Sequence, residues 1–346
     1  MRRPALGWTG LGLVVLAWGL RGGTALAQEG GEDFFRHQTI RIVVNAAGGG
    51  FDAYARTLAR HLGRHVPGQP AVVVDSMPGA GGLVAANYLY RAARPDGLTI
   101  GHFSGDLLLG EVLGRPGIEF DARRFEYVGV GSTEHIACAF SRASGITSLD
   151  RWKAAGAPVK MGGTAPGANG DNATRILKTV LGLPVQLVSG YRGTAAIRLA
   201  VESGELAGAC FNWGSMRSSW QHALATGEVV VVLQLASRPL PDLSGVPLVT
   251  ELAKTDDARR LVGITLLRAS GLARPYALPP GTPKSRVRLL RRAFLATLQD
   301  PEFLADAEKV RLDVNPVPGE EVERLVADLF TLDSPTAARL RTILFD

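Results

Sequence analysis

The sequence predicts an α/β protein whose mainly parallel strands are covered by helices. Three observations lead there. Strand-like and helix-like stretches alternate as β-α-β-α-β between Ile40 and Gly101, the pattern of crossover units that cover a parallel sheet on both faces. The first strand, with Ile40, Ile42, Val43 and Val44, is a near-continuous apolar run, as expected of a strand buried on both sides. A glycine-rich turn then joins that strand directly to a helix, and open α/β sheets bind ligands beyond the carboxyl ends of their strands.

The turn reads Ala46-Ala47-Gly48-Gly49-Gly50-Phe51-Asp52. With no Cβ, its glycines can bend sharply and admit an oxygen close to the main chain. The helix that follows, marked by Ala53, Tyr54, Leu58, Ala59 and Leu62 at helical spacing, offers unpaired N–H groups and the positive end of its dipole. A carboxylate or phosphate fits such a place. A plain strand-to-helix bend uses the same residues, and this segment leaves the two readings equal.

The alternation continues with a strand at 72–75, a Pro-Gly turn at 78–82, an alanine-rich helix and a strand at 98–101. Further strands are expected at 127–130, 136–140, 159–161, 185–188, 206–211 and 229–233, with helices between most of them. From Pro275 onward, helices are expected at 285–298, 301–309, 320–332 and 337–344. This tail carries no evident chemistry.

Residues 1–27 have the layout of a secretory signal: Arg2 and Arg3, an apolar stretch, then Ala25-Leu26-Ala27 before Gln28. The apolar stretch of about 15 residues falls short of the roughly 20 that a spanning helix needs, so cleavage and general secretion are expected. Cleavage removes Arg2, Arg3 and Arg21 and no acid, taking the formal charge from +6 to +3. That small charge disfavours a nucleic-acid partner. The remaining length suits two domains. After cleavage the protein is expected to be periplasmic and not itself membrane-spanning.

Cys138 and Cys210 are the only cysteines. Both lie in apolar strand-like runs and are read as two small buried core residues, with a disulfide as the alternative. Neither has a second Cys or His at metal-ligand spacing. His61 and His65 share a helix face at i, i+4, but no HExxH accompanies them, and the solvent face of the helix is the expected home. GHFSG at 101–105 lacks the GxSxG spacing of a nucleophile elbow, and the glycine turn lacks the lysine of a P-loop.

Taken in order, AAGGGFDAYAR at 46–56, VVVDSMPGAGGLVAANYL at 72–89, RPDGLTIG at 94–101, GYRGTAAI at 190–197 and YALPPGTP at 276–283 resemble a known family. It is the Bug family, the extracytoplasmic solute-binding receptors of tripartite tricarboxylate transporters. The likeness runs from about Ile40 to the C-terminus. It implies a two-lobed periplasmic binding protein (type II), each lobe a mainly parallel sheet flanked by helices, with two crossovers. Domain one would be residues 36–131 and 271–346, domain two residues 132–270, with hinges near Gly131 and Gly271. The protein would be a receptor and not an enzyme, with no cofactor and no metal. It would capture a small organic carboxylate and deliver it to the large and small membrane subunits of a tripartite carboxylate transporter. A monomer is expected. A ligand-dependent sensor is the alternative, and an exported enzyme a more distant one.

The resemblance also implies a site. One loop from each lobe would hold the carboxylate: Ala47, Gly48, Gly49, Gly50 and Phe51 from the first, Gly163, Thr164 and Ala165 from the second. Ser104, Tyr191, Arg192 and Asn212 follow other strand ends. Backbone amides and hydroxyls suit an anion because they leave no unpaired charge when the cleft is empty, and each charge-assisted bond is worth roughly 1.5–3 kcal/mol. Thr164 and Ser104 are the preferred side-chain donors, against simple capping of the helices that follow. Tyr191 would wall the cleft, and Arg192 would balance a second carboxylate or stand in solvent. Asp52 is read as structural and Arg56 as its i, i+4 partner. Phe51 stands where many relatives carry a small polar residue, which opens the way to aromatic or branched carboxylates.

Overall fold

The computed structural model describes residues 33–345, so the expected signal at 1–27 lies outside the described residues. Its strands are β1 (Thr39–Val44), β2 (Ala71–Ser76), β3 (Thr99–His102), β4 (Glu126–Val130), β5 (Ile136–Ser141), β6 (Val159–Gly162), β7 (Val185–Val188), β8 (Gly208–Asn212), β9 (Val229–Leu235), β10 (Pro275–Leu278) and β11 (Val317–Pro318). They form a six-stranded sheet in the order β11-β4-β10-β3-β1-β2 and a five-stranded sheet in the order β7-β6-β8-β5-β9. Each sheet is the centre of one lobe.

Both sheets are mixed. The predicted crossover units supply the parallel part: β1 runs parallel to β2 and β3, and β6 parallel to β7 and β8. The strands flanking the two lobe crossings supply antiparallel pairs, β10 with β3 and β4, and β5 with β8 and β9. The sheets therefore hold more antiparallel pairing than the strand-helix alternation suggests.

Ile40, Ile42, Val43 and Val44 of β1 are all buried, and the helix Gly49–His65 lays Tyr54, Ala55, Leu58 and Leu62 into the same core. Each fully buried aliphatic side chain there contributes roughly 1.5–3 kcal/mol. The chain leaves the first sheet after Val130 and returns at Pro275. The two crossing segments touch, since the amide of Glu134 donates to the carbonyl of Ser270 at 3.1 Å. A third segment joins them: the Tyr54 hydroxyl lies 2.6 Å from the Asp313 carbonyl and 3.0 Å from that of Gly131, sharing its proton between them.

The helices Lys284–Gln299 and Pro301–Lys309 pack on the helix Gly49–His65, and Gly319–Leu329 packs on β4. The sequence reading gives every C-terminal helix to domain one, but the last, Ser334–Phe345, crosses to the second lobe. There it packs on the helix Asn169–Leu181, burying Leu340, Ile343 and Leu344. Arg339 pairs with Asp257 at 2.6 Å, and Arg260 with Asp333. Apolar burial on that face decides its place.

Two expectations about side chains are corrected. Cys138 and Cys210 stand directly opposite each other on the antiparallel strands β5 and β8 and form a disulfide. They are buried, as read, but paired. The two histidines do not face solvent. His61 is buried with its Nε2 2.9 Å from Asp306, and His65 lies 2.7 Å from Asp300, so both brace this helix against Pro301–Lys309.

Candidate functional site

The glycine turn lies at the carboxyl end of β1, with φ of +80° at Gly48 and +75° at Gly49. Only glycine takes that conformation without strain, a cost of about 1–2 kcal/mol for other residues. Ala47, Gly48 and Gly49 are exposed, and a Cβ added at Gly48 or Gly49 would meet nothing within 4 Å. The space above them is open. Gly50 is different: a Cβ there would lie 2.6 Å from the Ser215 hydroxyl oxygen and 2.9 Å from both terminal nitrogens of Arg274. Ser215 belongs to the helix Trp213–Ser219 of the second lobe. The third glycine thus lets the two lobes meet.

Arg274, which the sequence reading passed over, is a buried charge at this meeting point. It is 2% exposed. Its Nε lies 2.7 Å from Oε1 of Glu134, its Nη2 donates to Ser215 at 2.8 Å, and its guanidinium stacks over Phe51 at 4.7 Å. Burial raises the Glu134 carboxyl above its usual range, against the pull of Arg274. Phe51 also leans on the His102 ring at 5.2 Å, and His102 stacks on Tyr276 at 4.0 Å. Burial, with the nearby guanidinium, holds His102 neutral, its pKa lowered to about 3. Asp52 turns away to bond Arg56 at 2.8 Å, the structural pairing its spacing predicts.

In the second lobe, Gly163, Thr164 and Ala165 follow β6. The Thr164 amide donates to Asp171 at 2.7 Å, and the Ala165 amide also points at that carboxylate. Asp171 is fully buried and accepts a further bond from Ser189. The backbone amides of Thr164 and Ala165 are thus engaged within their own lobe. Gly163 has no room for a Cβ because Asp171 lies 2.5 Å from where it would be. The Tyr191 amide donates to the Gly163 carbonyl at 3.2 Å, which brings the two loops side by side. The Tyr191 hydroxyl bonds Glu205, and Arg192 is exposed. Asn212 is buried and accepts from Asn169 at 2.7 Å.

Ser104 donates to Asp106 at 2.8 Å and does not cap a helix. The part-buried Asp106 faces the Asn169 amide across the lobe boundary, and burial pushes its pKa up to about 6, with the Ser104 hydroxyl pulling the other way. A carboxyl raised on folding penalises the folded state once it ionises. The penalty is absent below about pH 4, grows as pH rises to about 6, and is complete above that. Asp106→Asn should therefore gain on the natural protein between pH 4 and pH 7 by about 1–2 kcal/mol, after discounting for partial exposure. Thermal unfolding of both across that range checks this, and a constant gap would place Asp106 in solvent.

No protein-family model matches the chain, and no curated protein matches it. Solved structures do. "Structure of periplasmic binding protein BugD" superposes with a TM-score of 0.71 at 20% identity, covering 88% of this chain and 97% of that one. An R. palustris protein with adipate gives 0.70 at 19% identity over 88% and 97%. MatC from Rhodopseudomonas palustris with bound malate gives 0.67 at 19% over 89% and 99%. This chain has their two-lobed fold. In that fold the open glycine turn and the loops after β3, β6 and β8 stand at strand ends, where α/β sheets take ligands.

Proposed function

We propose that this protein is a Bug-type receptor that captures a small organic carboxylate between its lobes, in the periplasm, and delivers it to a membrane transporter of the tripartite tricarboxylate class. The observation that carries the reading is the open glycine turn: Gly48 and Gly49 are exposed at the start of a 17-residue helix, directly beside the meeting point of the lobes. Unpaired amides and a helix dipole there suit an anion. The fold shared with proteins solved with adipate and malate supports the same class of ligand. In this reading Ala47, Gly48, Gly49, Gly50 and Phe51 form one jaw, and the loops carrying Ser104, Thr164, Tyr191, Arg192 and Asn212 line the remainder. Residues 132–270, with the last helix Ser334–Phe345 packed on them, move against the rest of the chain about the crossing segments, as in hinge-bending binding proteins.

Native mass spectrometry of protein taken from its own periplasm should find an organic acid bound. Gly49→Val should fold yet lose stabilisation by that acid, since a β-branched residue is strained at φ +75° and fills the open space. Retained binding in the variant would place the site elsewhere.

A further inference from the structure

Between the lobes, beside the loop after β6, lies a cavity of about 450 Å³. Ala80 and Arg115 wall it from the first lobe, Ala165 and Pro166 from the second, and Arg341 and Phe345 from the last helix. Sites for small organic molecules commonly measure about 300–1,000 Å³. Ala165 adjoins the jaw loops described above; the two arginines and the last helix are additional to them.

Two guanidinium groups meet this cavity without an acid. Arg115 donates to the Ala80 carbonyl at 3.2 Å, and neither it nor Arg341 has a carboxylate partner among the described residues. Asp106 is within electrostatic reach of Arg115, but it accepts from Ser104 and faces the Asn169 amide. The groups crowd round two glycine turns. A Cβ added at Gly114 would lie 2.9 Å from Nη1 of Arg341, and one at Gly167 would lie 3.0 Å from Nη1 of Arg115 and 2.9 Å from the Phe345 ring. With φ of +69° and +81°, both positions favour glycine, and its missing Cβ leaves the room that these side chains fill.

The electrostatics favour an anion here. Arg115 is half-buried, and burial disfavours its charged form, with Asp106 pulling the other way. Arg341 is exposed and stays hydrated while the cavity is empty. Guanidinium groups present paired N–H donors that match carboxylate and phosphate oxygens alike. The other four wall residues are apolar and suit a carbon body. Arg192, the exposed cation after β7, is not among the residues round this cavity.

We propose that Arg115 and Arg341 form a second anion site, which takes a carboxylate or phosphate group between them and any carbon body against Ala165, Pro166 and Phe345. It adjoins the glycine-turn site and does not rest on it. Arg115 belongs to the first lobe, and Arg341 rides on the helix packed against the second, so an anion held by both ties the lobes together.

Inorganic phosphate and adipate, titrated by calorimetry into the intact protein at low salt, test the site. Phosphate should bind, and Arg341→Gln and Arg115→Gln should each weaken it at least ten-fold. Adipate separates two sources of the anion. Competition with phosphate, together with weakening of adipate by both Gly49→Val and Arg341→Gln, would make the cavity the seat of the far end of a solute held at the turn. Phosphate that binds undiminished beside saturating adipate would make it the seat of a separate ion. Either result supports the site. Adipate weakened by Arg341→Gln but not by Gly49→Val keeps this site and removes the glycine-turn reading. No binding of either probe, or affinities that ignore both arginines, overturns the proposal, as does a loss in Arg192→Gln that Arg341→Gln does not share. Asp346 follows Phe345 and lies outside the described residues. Phosphate binding that appears only in Asp346→Asn would assign the two guanidinium groups to a carboxylate of the chain itself and overturn the proposal too.

Discussion

Glu134→Ala is expected to destabilise the protein by about 3–5 kcal/mol, while Glu134→Leu/Arg274→Met should cost less than about 2 kcal/mol. The asymmetry is one of solvation. Arg274 is 2% exposed and cannot shed its proton at any ordinary pH, so a guanidinium left without its counter-charge stays ionised in a site that water does not reach. Ser215 offers it one hydrogen bond and Phe51 one aromatic face. Neither replaces a full negative charge. Removing both charges removes both desolvation costs, and apolar side chains of similar length refill the space. The single substitution should also loosen the meeting of the lobes, because this pair joins the outgoing crossing segment to the returning one. Urea unfolding of the three proteins at pH 7 provides the comparison. Equal losses in the single and double variants would mean that the pair is solvated in solution.

Much of the fold was legible because its elements follow local rules. The apolar strand 40–44, the Pro-Gly turn and the helical tail each declare themselves within a few residues, and each stands where it was read. The Asp52–Arg56 pair was also readable, since i, i+4 spacing on a helix leaves little choice of partner. What was not legible depends on distant segments. Arg274 precedes a proline at a strand start, and nothing nearby in sequence says that Glu134, 140 residues earlier, will be its partner. Asp171 takes the Thr164 amide across seven residues and a loop, a side-chain contact that strand and helix patterns do not register. The last helix could have completed either lobe, because its apolar face suits any core.

The disulfide is where local reading met its limit most clearly, and it carries the second large effect. Cys138→Ala/Cys210→Ala should lower stability by about 2–4 kcal/mol. Apolar surroundings suggested buried thiols, which is true of their environment, yet registry brings the two residues face to face across β5 and β8. The bond spans 72 residues of sequence. Closing a loop of that length removes conformational freedom from the unfolded chain, and the chain-entropy account puts the upper end of its contribution near 4 kcal/mol. The folded state should change little, since alanine fits where a half-cystine was and the β5–β8 ladder keeps its backbone hydrogen bonds. The loss should therefore appear as a lower urea midpoint, with carboxylate binding retained at 25 °C. Reductant should act slowly on the native protein and quickly once urea opens the second lobe, because both sulfurs are buried. A variant as stable as the natural protein would mean that the two cysteines are not bonded in solution and contribute only their packing.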